Sequence, residues 1–159
     1  MTFDVKAFME TNFIPREAEV EIVEPELKNF FNSEDKQVWF VKGLTGPQLG
    51  RAEAIAVASE DLKKMIEGLL SRRSKDKAEA IQKLAGLSED LPVDIAKRIE
   101  HLVMGSVVPE VDHQLAVKLC DTFPVEFYLV TTKIAEISGK GHVPGKAKPS
   151  GKTKKSSSR

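Results

Sequence analysis

The sequence predicts a mostly helical α+β domain: five or six helices, a small N-terminal two-stranded β element and a disordered basic C-terminal tail. Residues 37–42 are rich in β-branched and aromatic side chains, and a capped amphipathic helix follows over 45–70. Glutamates alternate with apolar residues over 17–23, as in a half-exposed strand. Glycine, proline, lysine and serine dominate from Ser138 onward, a composition too polar to build a core. We therefore assign residues 1–138 to one domain and 139–159 to the tail.

The first third of the chain supplies a short helix and the two strands. Residues 2–13 place Phe3, Ala7 and Phe8 at helical spacing behind a threonine that can cap the helix. Pro25 opens a turn or a short helix between the strands over 17–23 and 37–42. The second strand carries Trp39, and a single tryptophan in a strand is more often core than a recognition anchor. We expect its side chain to be buried between the strand pair and the 45–70 helix.

The 45–70 helix has both a start signal and an apolar face. Thr45 and Gln48 form a capping box around Pro47, whose missing N–H suits the first helical turn. Its alanine-rich middle would let another helix approach closely. The face recurs at steps of three and four residues and comprises Leu49, Ala52, Ile55, Ala56, Leu62, Met65, Ile66 and Leu69.

Successive shorter helices follow. The pattern predicts them over 76–85, over 92–105 behind a proline, over 112–120 behind a capping aspartate, and over 125–137. A break or kink at Phe123 and Pro124 separates the last two of these helices. Gly86, Gly105 and Gly139 mark helix ends.

The formal net charge of zero conceals an asymmetry. Residues 138–159 contain seven basic residues and no acid, whereas residues 1–137 contain 24 acids and 17 bases. An acidic body disfavours a main role in holding nucleic acid, since phosphate contacts dominate that affinity. The single Cys120 cannot pair within the chain, so we expect a buried small hydrophobe in a cytosolic protein. No apolar run is long enough for a membrane span, and no signal peptide is evident.

No set of residues indicates catalysis. His113 with Asp112 and Glu110 is weak metal-ligand spacing and is better read as turn and cap residues. His101 is interpreted as a half-exposed helical residue, and the glycines around the 45–70 helix start lack the phosphate-loop pattern. We expect no enzymatic activity, no cofactor and no metal.

Two stretches resemble the tail assembly chaperones of long-tailed bacteriophages and prophages. The first is VWFVKGLTGPQLGRAEA over 38–54, and the second is LAVKLCDTFPVEFYLVTTKIAEISGKG over 115–141. Members of that family have a short β-containing part that leads through a Gly-Leu-Thr/Ser-Gly turn into a long helix. A helical body with a Phe-Pro-x-x-Phe helix follows. The resemblance extends over most of residues 1–141.

The resemblance implies a non-catalytic protein that covers the aggregation-prone tape measure protein and helps recruit tail tube subunits. It would act in the host cytoplasm and be absent from the mature virion, and many relatives have a longer product made by ribosomal frameshifting. We expect helical faces to bind the partner. The predicted partner-binding residues are Leu49, Ile55, Leu62, Ile66, Leu69, Phe123, Phe127 and Tyr128.

Two other functions are compatible with the sequence. One is a structural minor tail or connector protein of the virion. The other is a nucleic-acid-associated regulator that uses the basic tail, for which affinity would fall steeply with salt. Self-association is left open by the sequence.

Overall fold

The computed structural model describes residues 2–32, 36–60, 64 and 91–145 of the 159-residue chain. The predicted mostly helical α+β fold is confirmed. Its described helices are α1 (Val5–Glu10), α2 (Pro25–Lys28), α3 (Gly46–Ala58), α4 (Leu91–Gly105), α5 (His113–Thr122) and α6 (Pro124–Gly139). Its described strands are β1 (Phe13–Ile14), β2 (Glu17–Glu21), β3 (Val38–Lys42), β4 (Ser106–Val108) and β5 (Val143–Pro144).

The central sheet has the order β2-β3-β4 and is antiparallel throughout. Strands β2 and β3 are the predicted pair, with Glu19 opposite Phe40 and Val20 opposite Trp39. The glutamates of β2 are exposed, and the apolar residues between them face inward. Strand β4 is an addition to the predicted pair. It has only three residues and precedes Pro109, so no periodicity marks it in the sequence.

Trp39 is buried as predicted, with 3% of its surface exposed. Its indole Nε1 donates a hydrogen bond to Ser106 Oγ at 2.8 Å, and its ring meets Phe31 edge-on at 6.5 Å. The Ser106 hydroxyl in turn donates to the carbonyl oxygen of Pro109. Helix α6 contacts both β2 and β3. Much of the 45–70 helix lies outside the described residues, so the packing of Trp39 against it stays a prediction.

Helix α3 begins as the sequence predicts. The Gln48 N–H donates to Thr45 Oγ1 at 3.2 Å, and the Thr45 N–H donates to Gln48 Oε1 at 2.9 Å. The predicted 45–70 helix is interrupted at Ser59, where the backbone is extended (φ −83°, ψ 100°), and Glu60 is helical again. Serine competes with helical hydrogen bonding through its own side chain, so it favours a break in the helix that the apolar pattern does not reveal. Most of the predicted continuation to Leu70 lies outside the described residues.

Helix α4 is the centre of the helical layer and contacts α3, α5 and α6. Ala52 and Ala56 of α3 are fully buried at its contact with α4, which confirms the predicted close approach of a second helix. The boundaries predicted for α4, α5 and α6 agree with the structure to within about two residues, including the break at Phe123. The predicted Asp112 cap is present, because its Oδ1 accepts from the Leu115 N–H at 2.8 Å. The helix predicted over 76–85 lies outside the described residues.

The two ends of the described chain meet. Strand β5 pairs with β1, which aligns Phe13 with Pro144 and Ile14 with Val143. The predicted tail boundary at residue 139 was therefore wrong for residues 140–145, which belong to the folded part. The N-terminal helix is also shorter than the predicted 2–13, and its cap is Asp4 rather than Thr2, since Asp4 Oδ1 accepts from the Ala7 N–H at 3.0 Å.

Candidate partner-binding surface

The predicted partner-binding residues divide into three groups. Phe127 and Tyr128 lie in the core with almost no exposed surface, so the prediction that they contact a partner was wrong. Leu49, Ile55 and Phe123 are half-buried and pack against the same core. The remaining three, Leu62, Ile66 and Leu69, lie outside the described residues.

The buried Tyr128 takes part in a network of polar and cation–π contacts. The Arg98 guanidinium lies 4.3 Å from the centre of its ring, and Arg98 Nε donates to Asp94 Oδ2 at 3.1 Å. The Arg98 Nη1 atom donates to the hydroxyls of Thr131 and Thr132 at 2.8 and 3.0 Å. Burial, followed by the negative charge of Asp94, raises the pKa of the Tyr128 hydroxyl well above its usual value. This network joins α4 to α6 and has a structural role.

Among the described residues, exposed large apolar side chains are most numerous near the N-terminus. Phe3, Phe8 and Phe13 form a row with ring-centre distances of 5.3 and 5.2 Å. Helix α1, which carries Phe8, contains no buried residue. We call this row the aromatic arm; Val5, Met9 and Ile14 of the same segment are exposed as well.

The arm is attached to the body through few contacts. Besides the β1–β5 pairing, the Gly145 N–H donates to the Asn12 carbonyl at 2.6 Å, and Arg16 Nε donates to the Gly141 carbonyl at 3.1 Å. Gly141 has φ +77°, a conformation that favours glycine. The sequence indicated a helix here but not its exposure, because six residues are too few to show which side faces the core.

Helix α6 has a smaller exposed apolar stripe. Val125 and Leu129 are one helical turn apart, and both are nearly half exposed. Buried neighbours in the same helix, including Phe127, Val130 and Ile134, occupy the opposite side. The helical spacing identified this segment as amphipathic but did not reveal which side the protein covers itself.

The histidines occupy places that the sequence did not predict. His113 Nε2 lies 2.6 Å from Oε2 of Glu100, a residue of α4 that is 13 positions earlier in the chain. His101 is buried, not half-exposed, and desolvation followed by the charges of Lys97 and Arg98 lowers its pKa to about 4.

Burial also raises the pKa of Glu126, with a further contribution from Glu24. Among the described residues, no three His, Cys, Asp or Glu side chains are placed to hold a metal ion.

The two stretches that carry the family resemblance meet in the structure. The Leu44 N–H donates to Ser138 Oγ at 2.8 Å, and that hydroxyl donates to the Ile134 carbonyl at 2.6 Å. Gly43 lies so close to α6 that a Cβ atom there would be 3.3 Å from the Ile137 carbonyl oxygen. The turn before α3 is thereby fixed to the end of α6.

Comparison of the chain with protein-family models, curated proteins and solved structures found no match. Within the described part of the chain, none of the helices has the length and apolar character required to cross a bilayer.

Proposed function

We propose that this protein is a tail assembly chaperone of a long-tailed bacteriophage or prophage. In this role it binds the tape measure protein before the tail is built, keeps that protein soluble and helps to recruit tail tube subunits. It acts through surface binding, without catalysis, in the host cytoplasm, and leaves before the virion is complete. A frameshifted longer product would fit the same role.

The observation that carries the proposal is the aromatic arm. Large exposed apolar patches on a folded protein mark sites of interaction with other proteins. Phe3 and Phe8 are 69% and 48% exposed, and they lie in one row with Phe13. An apolar helical segment of a tape measure protein could be covered by such a row, as amphipathic helices are covered in other helix-binding proteins.

Two further features support the proposal. The Gly43–Leu44 turn and the end of α6, which come from the two resembling stretches, form one structural unit through Ser138. Residues 1–137 have seven more acids than bases, a charge that keeps a complex soluble and favours basic partners.

Co-expression with the tape measure protein encoded in the same genome tests the function. We expect the tape measure protein to be soluble with this chain and to aggregate without it. Equal solubility in the two cultures would refute the chaperone role.

A pair of matched variants tests the arm itself. Phe8→Asp places a charge in the aromatic row and should abolish solubilisation and co-purification, while α1 has no buried residue whose loss would unfold the body. Phe30→Asp makes the same chemical change at a side chain that is 83% exposed but outside the row, and should leave binding intact. If the two variants bind alike, the arm is not the binding surface.

Mass spectrometry of purified virions separates a chaperone from the alternative of a minor tail or connector protein. A chaperone should be absent or present only in trace amounts, whereas a structural protein should occur at a fixed number of copies per particle. A sequence prone to frameshifting near the stop codon, followed by a long reading frame, would add independent support.

A further inference from the structure

Strand β2 is an edge of the described sheet. The Arg16 carbonyl accepts from Gly43, and the Ile22 N–H donates to Gln37, so even-numbered residues over 16–22 direct their peptide groups toward β3. The odd-numbered residues of β2 therefore direct theirs away from it. Among the strands that the structure describes, none pairs with this side, because β2 lies at one end of the order β2-β3-β4. We call these outward peptide groups the free edge.

The free edge is chemically suited to another strand. A strand at the edge of a sheet presents a row of N–H and C=O groups that an extended peptide can pair with. The described sheet is antiparallel throughout, and antiparallel pairing places residues directly opposite each other. An added antiparallel strand would exchange hydrogen bonds with the free edge and set its own side chains beside those of β2. The side chains of β2 therefore decide which strand fits.

The outer side of β2 favours basic partners. Glu17, Glu19 and Glu21 are exposed, and alternation places all three on one face of the sheet. Basic residues at every second position of an added strand would lie opposite these carboxylates, a favourable cross-strand pairing. Lys36 Nζ already lies 3.7 Å from Glu19 Oε1, which shows that a lysine can approach this row. The side chains of that pair are 77% and 44% exposed, so the pair is weak and leaves Glu19 open to a second cation.

The inner side of β2 favours apolar partners. Ala18 and Val20 face the core, where Val20 is buried and Ala18 is only partly buried. Residues of an added strand beside these two would extend the apolar inner face of the sheet, and β-branched side chains suit such positions. The complementary strand therefore alternates basic and apolar residues. The β2 strand of a second copy does not fit, since it would place glutamates opposite glutamates.

We propose that the free edge binds an extended segment of another protein, in which lysine or arginine alternates with β-branched apolar residues, as an added antiparallel strand. Its basic residues lie opposite Glu17, Glu19 and Glu21, and its apolar residues lie beside Ala18 and Val20. Backbone hydrogen bonds supply the attachment, and the charge pairs select the partner and set the register. The site uses none of the residues of the aromatic arm and does not depend on the chaperone role.

Amide hydrogen exchange of the full-length protein, followed by NMR, tests the proposal with a synthetic peptide in which lysine and valine alternate. At saturating peptide, the N–H groups of Glu17, Glu19 and Glu21 should exchange at least about tenfold more slowly than in the free protein. The amides of Ala18 and Val20, which face β3, should keep the protection they already have. A peptide with glutamate in place of lysine should protect none of the three glutamate amides at the same concentration.

Methylation of the peptide backbone tests the hydrogen bonds. In the proposed pairing the lysines of the peptide lie opposite the outward residues of β2, so their N–H groups donate to the free edge. Methylating the lysine amides should abolish protection, although every side chain and charge is kept. Methylating the same number of valine amides, which point away from β2, should preserve it. Equal effects of the two methylated peptides would overturn the proposal.

A charge reversal on the protein tests the selection. Glu19→Lys should weaken binding of the lysine peptide about tenfold and should strengthen binding of the glutamate peptide, an exchange that a loss of structure would not produce. Glu10→Lys makes the same change at an exposed residue of α1 and should alter either affinity less than about twofold. Phe8→Asp disables the arm and should leave peptide binding intact.

Three other results would overturn the proposal. The first is slow exchange of the Glu17, Glu19 and Glu21 amides without any peptide, because the edge would then be covered already. The second is an equal loss of affinity in the Glu19→Lys and Glu10→Lys variants. The third is loss of peptide binding in Phe8→Asp, which would assign the peptide to the aromatic arm and leave the chaperone proposal standing.

Discussion

At the scale of single residues, Trp39 shows how one side chain links two strands that are far apart in the sequence. It extends from β3 into the core, and its indole N–H is hydrogen-bonded to Ser106 of β4. The strand pattern predicted the burial correctly. The hydrogen-bond partner was not predictable, because it lies 67 residues further along the chain.

Trp39→Ala should lower the free energy of unfolding by about 3 to 5 kcal/mol, because it empties a large buried volume. Trp39→Phe keeps most of that volume but loses the bond to Ser106 Oγ, so we expect a cost of about 1 to 2 kcal/mol. Urea unfolding followed by circular dichroism measures both. Trp39 is the single tryptophan, and efficient quenching of its native fluorescence by acrylamide would contradict its burial.

His101 gives the stability a pH dependence with a defined sign. The folded protein keeps this side chain neutral, with its pKa lowered to about 4 from 6.5 chiefly by burial. Between those pH values the unfolded chain binds the extra proton. The contribution is therefore fully present above pH 6.5 and is lost as the pH falls toward 4.

We expect the free energy of unfolding to fall by up to about 3 kcal/mol more in the unmodified protein than in His101→Gln over this range. Denaturant titrations at a series of pH values measure the difference. His142→Gln serves as the control and should keep the pH dependence of the unmodified protein. A His101→Gln profile parallel to that of the unmodified chain would show that His101 is not held neutral.

At the scale of elements, the sequence predicted helix starts better than helix packing. Caps at Thr45 and Asp112 are local signals that depend on residues three positions apart, and the structure contains both. Periodicity also shows which side of a helix is apolar. It does not show whether the protein's own core or a partner covers that side, which is why Phe127 and Tyr128 were assigned to a partner although they are core residues.

Two glycines in helices should respond to alanine in opposite ways. Gly50 in α3 has open space where a Cβ atom would lie, so Gly50→Ala should stabilise the protein by about 0.5 to 1 kcal/mol. A Cβ atom on Gly105 at the end of α4 would lie 2.8 Å from Cγ2 of the buried Ile134. Gly105→Ala should therefore destabilise the protein by about 1 to 3 kcal/mol through overpacking. Thermal unfolding compares the two, and a stabilised Gly105→Ala would show that α4 and α6 can move apart without cost.

At the scale of the whole molecule, composition predicted a folded body and a basic terminal segment but placed the boundary too early. Glycine and lysine are frequent from residue 138 onward, yet Val143 and Pro144 form a strand with Phe13 and Ile14. Two-residue strands show no periodicity, and their pairing joins opposite ends of the chain. Such contacts depend on the assembled fold. The exposure of the aromatic arm was not predicted for the same reason, because it depends on how few residues of the folded body contact the arm.

The pairing of β1 with β5 should control how often the aromatic arm opens, and it should have little effect on the stability of the body. A chain that ends at Gly145 retains β5, whereas one that ends at Gly139 loses it together with the Gly145–Asn12 and Gly141–Arg16 hydrogen bonds. Neither chain has residues 146–159, so the comparison isolates β5. Because α1 has no buried residue, the shorter chain should melt at nearly the same temperature. Chymotrypsin should nonetheless cleave at Phe8 and Phe13 roughly tenfold faster in it, since local opening then needs no strand separation. Equal cleavage rates would mean that other contacts hold the arm.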